Sequence, residues 1–173
     1  MSNIDTIALA RANRIYVASN VSAKVVTVVG TVMTGLILTN PVGSGKYLAF
    51  LSSQFSMTTT PTAEISVALA VTVVQPIIPA SVTVGSAVIA NANGGSGTGV
   101  ADAADTVTLG AACVARRWLA GMSFGTDVAS TPYAWNDKID GELGLMPGAS
   151  TAFAFIGSAP TGMGSITYAE VDL

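Results

Sequence analysis

The chain has 173 residues, half of them apolar and 10% charged, with a formal charge of −3. That length fits one domain with one core, and seven Lys and Arg residues leave no basic footprint for nucleic acid, which needs several clustered cations. With no histidine and a single cysteine, the chain offers neither the usual ligand set of a zinc site nor a disulfide framework.

Ordinary soluble domains carry about a quarter charged residues, so this chain has few charges with which to cover a monomer. Part of its surface is therefore expected to be buried by other chains. The longest charge-free run, Ile65 to Ala101, does not read as a membrane span: Gln75-Pro76, Pro79 and a Gly/Asn/Ser cluster break it before about 20 continuous apolar residues accumulate. At the N-terminus Asp5 stands where a signal peptide would be basic, and Arg11 and Arg14 interrupt the apolar positions. No secretory leader is expected, and assembly inside a cell is the expected setting.

Residues 1–20 are the least regular part and are expected to form an N-terminal arm, with a strand around Ile15 to Ala18; residues 21–173 are expected to form the domain proper. Val21 to Met33 is rich in β-branched residues, which favour an extended chain, and Gly30 predicts a turn or bulge within it. Thr34 to Asn40 and Lys46 to Ser56 read as a hairpin closed by Asn40-Pro-Val-Gly-Ser-Gly45, because Pro41 presets a turn and Gly43 and Gly45 give the backbone freedom to complete it. From Ile65 to Val73, large residues at Ile65, Val67, Leu69, Val71 and Val73 alternate with small ones. Period two makes this a strand with one face in a core and the other closely packed or lightly solvated.

Pro76 and Pro79 end that strand, Val82 to Ala90 resumes an extended pattern, and Asn91 to Gly99 predicts an exposed loop. Thr106 to Phe124 is compatible with two strands or with a strand and a short helix near Ala111 to Leu119; strands are the favoured reading. Ala129 to Asp140 reads as a long loop carrying Pro132, Tyr133 and Trp135. Leu143 to Met146, Thr151 to Ile156 and Ser165 to Val171 are the last expected strands, with Ile166, Tyr168 and Glu170 on one face of the final one. Short strands at spacings of about 8 to 20 residues, with no helical period between them, predict an all-β fold, a single antiparallel β-sandwich.

The motifs that suggest chemistry do not hold up. Gly121-Met-Ser-Phe-Gly125 matches the G-x-S-x-G elbow of α/β-hydrolases, but that elbow needs a histidine to accept the serine proton. The same absence removes a Cys-His reading of Cys113, a small apolar residue on this view. Val42 to Lys46, VGSGK, has Asn40 where a phosphate loop needs glycine and Tyr47 where it needs Ser or Thr, so it reads as a turn. Gly95 to Gly99 lacks the third glycine and the βαβ setting of a dinucleotide fingerprint. Asp137, Asp140 and Glu142 match no calcium-loop spacing and read as a solvated acidic loop. Trp118, Tyr133 and Trp135 are candidates for sugar stacking or interface anchoring, against ordinary packing as the base case. The expectation is a non-enzyme without cofactor or metal.

The phrases TGLILTNPVGSGKYLAFLSSQFSM, GELGLMPGASTAFAFIGSAP and GSITYAEVDL resemble the small β-sandwich head decoration, or cement, proteins of tailed bacteriophages, over about Thr34 to Leu173. That resemblance implies a jelly-roll-like sandwich, a homotrimer, and a place on the outer capsid surface of a virion assembled in the host cytoplasm, with the major capsid protein as partner. It implies no catalytic residue. Contacts are then expected from the arm and the 129–140 loop, through Arg11, Arg14, Tyr16, Tyr133 and Trp135. The alternative is a receptor- or glycan-binding module of a phage tail or fibre, with Tyr133 and Trp135 as an exposed platform.

Overall fold

A computed structural model of the chain describes residues 5–26, 29–30, 34–59, 65–72, 87–94, 99–105, 113–122, 134–157 and 160–173, with the side chains of 119–122 left aside. The described residues form one short helix and two antiparallel sheets. In chain order they are α1 (Thr6–Arg11), β1 (Ile15–Asn20), β2 (Lys24–Val25), β3 (Ile37–Thr39), β4 (Lys46–Met57), β5 (Ile65–Thr72), β6 (Ala87–Asn91), β7 (Asp102–Ala104), β8 (Val114–Met122), β9 (Ala134–Lys138), β10 (Gly144–Leu145), β11 (Ser150–Gly157) and β12 (Thr161–Asp172).

The larger sheet runs β10-β4-β12-β1-β6, with β9 also on β4 and β2 also on β12; the smaller runs β7-β3-β11-β5-β8. Setting aside β2, β10 and the edge strands β6 and β7, the order β9-β4-β12-β1 packs on β8-β5-β11-β3. Following the chain through these eight strands, every step changes sheet except the step from β5 to β8. That is the order of a jelly roll, a double-sheet solution that leaves few exposed edges.

Two expectations change. The stretch from Gly35 to Phe50 is not a hairpin, because β3 and β4 belong to different sheets and the turn between them crosses the end of the sandwich. Asn40 anchors that crossing: fully buried, it donates through Nδ2 to the Lys46 and Leu145 carbonyls at 2.8 and 2.9 Å and accepts from Ser44 Oγ at 2.7 Å. The 129–140 loop, for its part, contains β9, paired with β4 from Ser52↔Lys138 to Ser56↔Ala134. Alternation there sends Trp135 inward and Asn136 outward, which a charge-rich segment concealed at the level of composition.

The expected arm also belongs to the sheet. β1 lies between β12 and β6, and α1, capped by Asp5 Oδ1 accepting from Ala8 N at 3.0 Å, contacts β1 and β12. Cross-strand pairing on both sides outweighs the irregular look of TIALARANRIYVASN.

Between the sheets lies one aromatic cluster. Phe55 sits 5.2 Å from Phe153, 5.0 Å from Phe155 and 6.2 Å from Trp135, ring centre to ring centre, tilted and edge-on geometries worth about 1 kcal/mol per pair beyond area burial. Two glycines of β12 make room for it, since a Cβ on Gly162 would run into Phe55 and one on Gly164 into Phe153. A second cluster, of Ile37, Ala70, Cys113, Ala152 and Ala154 with Val29 against it, lies on the other side of the smaller sheet.

Candidate functional site

The larger sheet's outward side carries the most distinctive surface. One cross-strand row reads Ser19 on β1, Ser165 on β12, Gln54 on β4 and Asn136 on β9. The next row toward the end of the sheet reads Met163, Ser56 and Ala134. These seven side chains surround a groove of about 350 Å³, floored by backbone of the intervening residues, and none of the lining residues is charged.

Period two produces this row: in LSSQFSM the inward positions are Ser53, Phe55 and Met57, all buried, so Gln54 and Ser56 face out. Antiparallel partners on both sides of β4 and β12 fix the register. Beneath the groove, where the β1–β12 ladder ends, the buried Asn20 side chain continues it, accepting from Gly164 N at 2.7 Å and donating to the Ser22 carbonyl at 2.6 Å. The floor is therefore rigid. Among the described residues the four side chains of the row have no hydrogen-bond partner.

A second surface closes one end of the sandwich. The β3–β4 turn, the Met146–Ala149 turn and the C-terminus meet there: Leu173 N donates to the Gly45 carbonyl at 3.2 Å, Gly148 N donates to the Asn40 carbonyl at 2.7 Å, and a Cβ on Gly148 would touch Val42 Cγ2 at 3.5 Å. Val42, Met146 and Leu173 are 71%, 55% and 67% exposed.

Three ionic groups surround these surfaces. Arg14 and Lys46 both pair with Asp172, the arginine at 2.5 Å, and they hold the Asp172 carboxyl below its ordinary range, Lys46 more than Arg14. Arg117 of β8 bridges to Asp137 of β9 at 2.7 Å and to Glu142 at 2.9 Å, clamping the two sheets along one edge. Lys138 pairs with Asp140 at 3.0 Å. The acidic loop is thus a set of ion pairs, and among the described residues no group of three His, Cys, Asp or Glu side chains could hold a metal.

Inside the sandwich, Glu170 is buried and accepts from Val100 N at 2.6 Å. Tyr168 stacks on Tyr16 at 5.7 Å, and its buried hydroxyl has no hydrogen-bond partner among the described residues. Burial, then the Glu170 carboxylate, push the Tyr168 phenol well above its ordinary range, and the same two causes raise Tyr16.

Of the five contact residues expected from sequence, the four that lie among the described residues do not converge. Arg11 is exposed on α1 and Arg14 is tied to Asp172. Tyr16 and Trp135 are buried, at 8% and 7% exposure, with their rings in the domain's own core, and two strands, β12 and β4, separate β1 from β9. Tyr133, like Ser123, lies outside the described residues. Trp118 on β8 is the exposed tryptophan, at 49%. Sequence reasoning passed over Ser19, Gln54, Asn136 and Ser165; the readable signal was a strand pattern whose outward positions are polar yet uncharged. No family model, no curated protein and no solved structure matches this chain.

Proposed function

We propose that this chain is a structural protein of a virus particle, a decoration or cement protein that binds the outer surface of a capsid as a homo-oligomer, a trimer by the family resemblance, with the major capsid protein as its partner. The observation that supports this reading best is the apolar end formed by Val42 and Met146, two large side chains left to solvent on two tight turns. On a chain with so few charges, such a tip favours burial against another protein. The turns are stiffened by Asn40 and its hydrogen bonds, so little ordering cost accompanies docking. In this reading the chain performs no catalysis. It binds the assembled shell better than free capsid subunits and shifts the equilibrium toward the shell by mass action.

The test is a Val42→Asp/Met146→Asp double variant, added to purified shells that lack the protein. Occupancy is expected to fall about tenfold or more, a loss of at least about 1.4 kcal/mol, with the melting temperature of the free chain unchanged. Equal occupancy of the variant and the original chain would end the reading.

A further inference from the structure

We propose that the row Ser19, Ser165, Gln54 and Asn136 is a binding site for a neutral oligosaccharide of about three sugar rings. Neighbouring strands in a sheet lie about 4.8 Å apart, so the row from β1 to β9 extends about 14 Å, a step per strand close to the length of one pyranose ring. Each hydroxyl in the row can donate and accept, and each amide offers two donors and an acceptor. This matches the mixed donor and acceptor character of sugar hydroxyls, and none of the four side chains is engaged elsewhere among the described residues. Met163, 39% exposed, stands in the adjacent row with Ala134 and gives the C–H face of a ring an apolar contact.

The chemistry excludes other occupants. Solvated sheet faces and edges ordinarily carry lysine and other charged residues, whereas the groove lining contains no Lys, Arg, Asp or Glu. A phosphate or acidic sugar would find no cation there. An extended peptide binds a sheet through a free strand edge, but β12 and β4 beneath the groove are paired on both sides. At about 350 Å³ the groove is at the small end of ligand sites, and its antiparallel floor fixes the backbone positions from which the four polar side chains rise. The inference does not depend on the chain sitting on a capsid.

The experiment uses the purified full chain and a panel of neutral trisaccharides, maltotriose, cellotriose and tri-N-acetylchitotriose, with sialyllactose and a polar hexapeptide as controls, followed by amide chemical-shift mapping. At least one neutral trisaccharide is expected to shift the amides of Ser19, Gln54, Asn136 and Ser165. Gln54→Ala and Asn136→Ala are each expected to weaken it about tenfold, and Ser165→Tyr to abolish it, with melting temperatures unchanged. No shift from any neutral sugar, shifts centred elsewhere, unchanged binding by Gln54→Ala, or a response only to sialyllactose or the peptide would each overturn the proposal. Because no particle is involved, any of these results leaves the capsid reading to be judged by shell occupancy alone.

Discussion

The outward sides of the two sheets are built from similar small residues and end in opposite states. On the smaller sheet, Ala68, Ala70, Ala152 and Ala154 are 0 to 2% exposed, joined by Ile37 and Cys113 and by Val29, whose N–H donates to the Phe155 carbonyl at 2.9 Å. On the larger sheet, Ser19, Ser165, Gln54 and Asn136 border an open groove. A methyl group tolerates close cover because it has no hydrogen bond to lose, whereas a buried hydroxyl or amide left without a partner costs about 1–3 kcal/mol. Over these four alanines the smaller sheet is covered on its outer side, whereas the larger sheet is open along its row.

The comparison breaks most visibly when the same charge is placed on each side. Ala154→Asp puts an unpaired carboxylate under cover and is expected to cost about 3 kcal/mol or more, whereas Gln54→Asp should stay within about 0.5 kcal/mol; urea unfolding of the two variants measures the difference. Equal losses would mean that the alanine face is open.

Gly164→Ala tests the inner side of the groove's floor, since the new methyl group meets Phe153. Overpacking of this kind costs about 1–3 kcal/mol and is expected as a lower melting temperature, with Ser165→Ala as a near-neutral control on the outer side.

A smaller effect, of opposite sign, is expected at Tyr168. Because its hydroxyl is buried without a hydrogen-bond partner among the described residues, Tyr168→Phe should leave stability unchanged or raise it by about 1 kcal/mol at neutral pH. The folded state holds the phenols of Tyr168, Tyr16 and Tyr47 above their ordinary value. Their contribution is therefore complete below about pH 10 and is lost as pH rises beyond it. Melting temperature should fall on the alkaline side, less steeply in Tyr168→Phe.

The least effect is expected at Asp172. Its lowered carboxyl value means that its pairing contributes above the ordinary carboxylate range and is lost as pH falls through the lowered one. The group is fully exposed to solvent, so the difference in melting temperature between Asp172→Asn and the original chain should be small and vanish at high salt.

Period two in ISVALAVT and GSITYAEVDL was enough to read strands and which of their side chains share a face, and with the Gly, Pro and Asn breaks between strands, a β-sandwich. Local alternation is set by the backbone itself. The absence of histidine likewise argued against a catalytic serine elbow without coordinates. The row on the larger sheet was not legible, because Ser19, Gln54, Asn136 and Ser165 lie far apart along the chain and only strand pairing brings them into line. Nor was the fate of Trp135, since composition around Asp137 and Lys138 looks like loop until β9 pairs with β4.

What sequence alone settled was the all-β class, several of its strands and, where large and small residues alternate, which side chains share a face; β9 it read as loop. Tertiary structure decided which strands are neighbours, that the Asn40 to Gly45 turn crosses between sheets, and which of two small-residue faces is covered. Alternation is a property of one segment, whereas register and cover are properties of segments far apart along the chain, and no local pattern carries them.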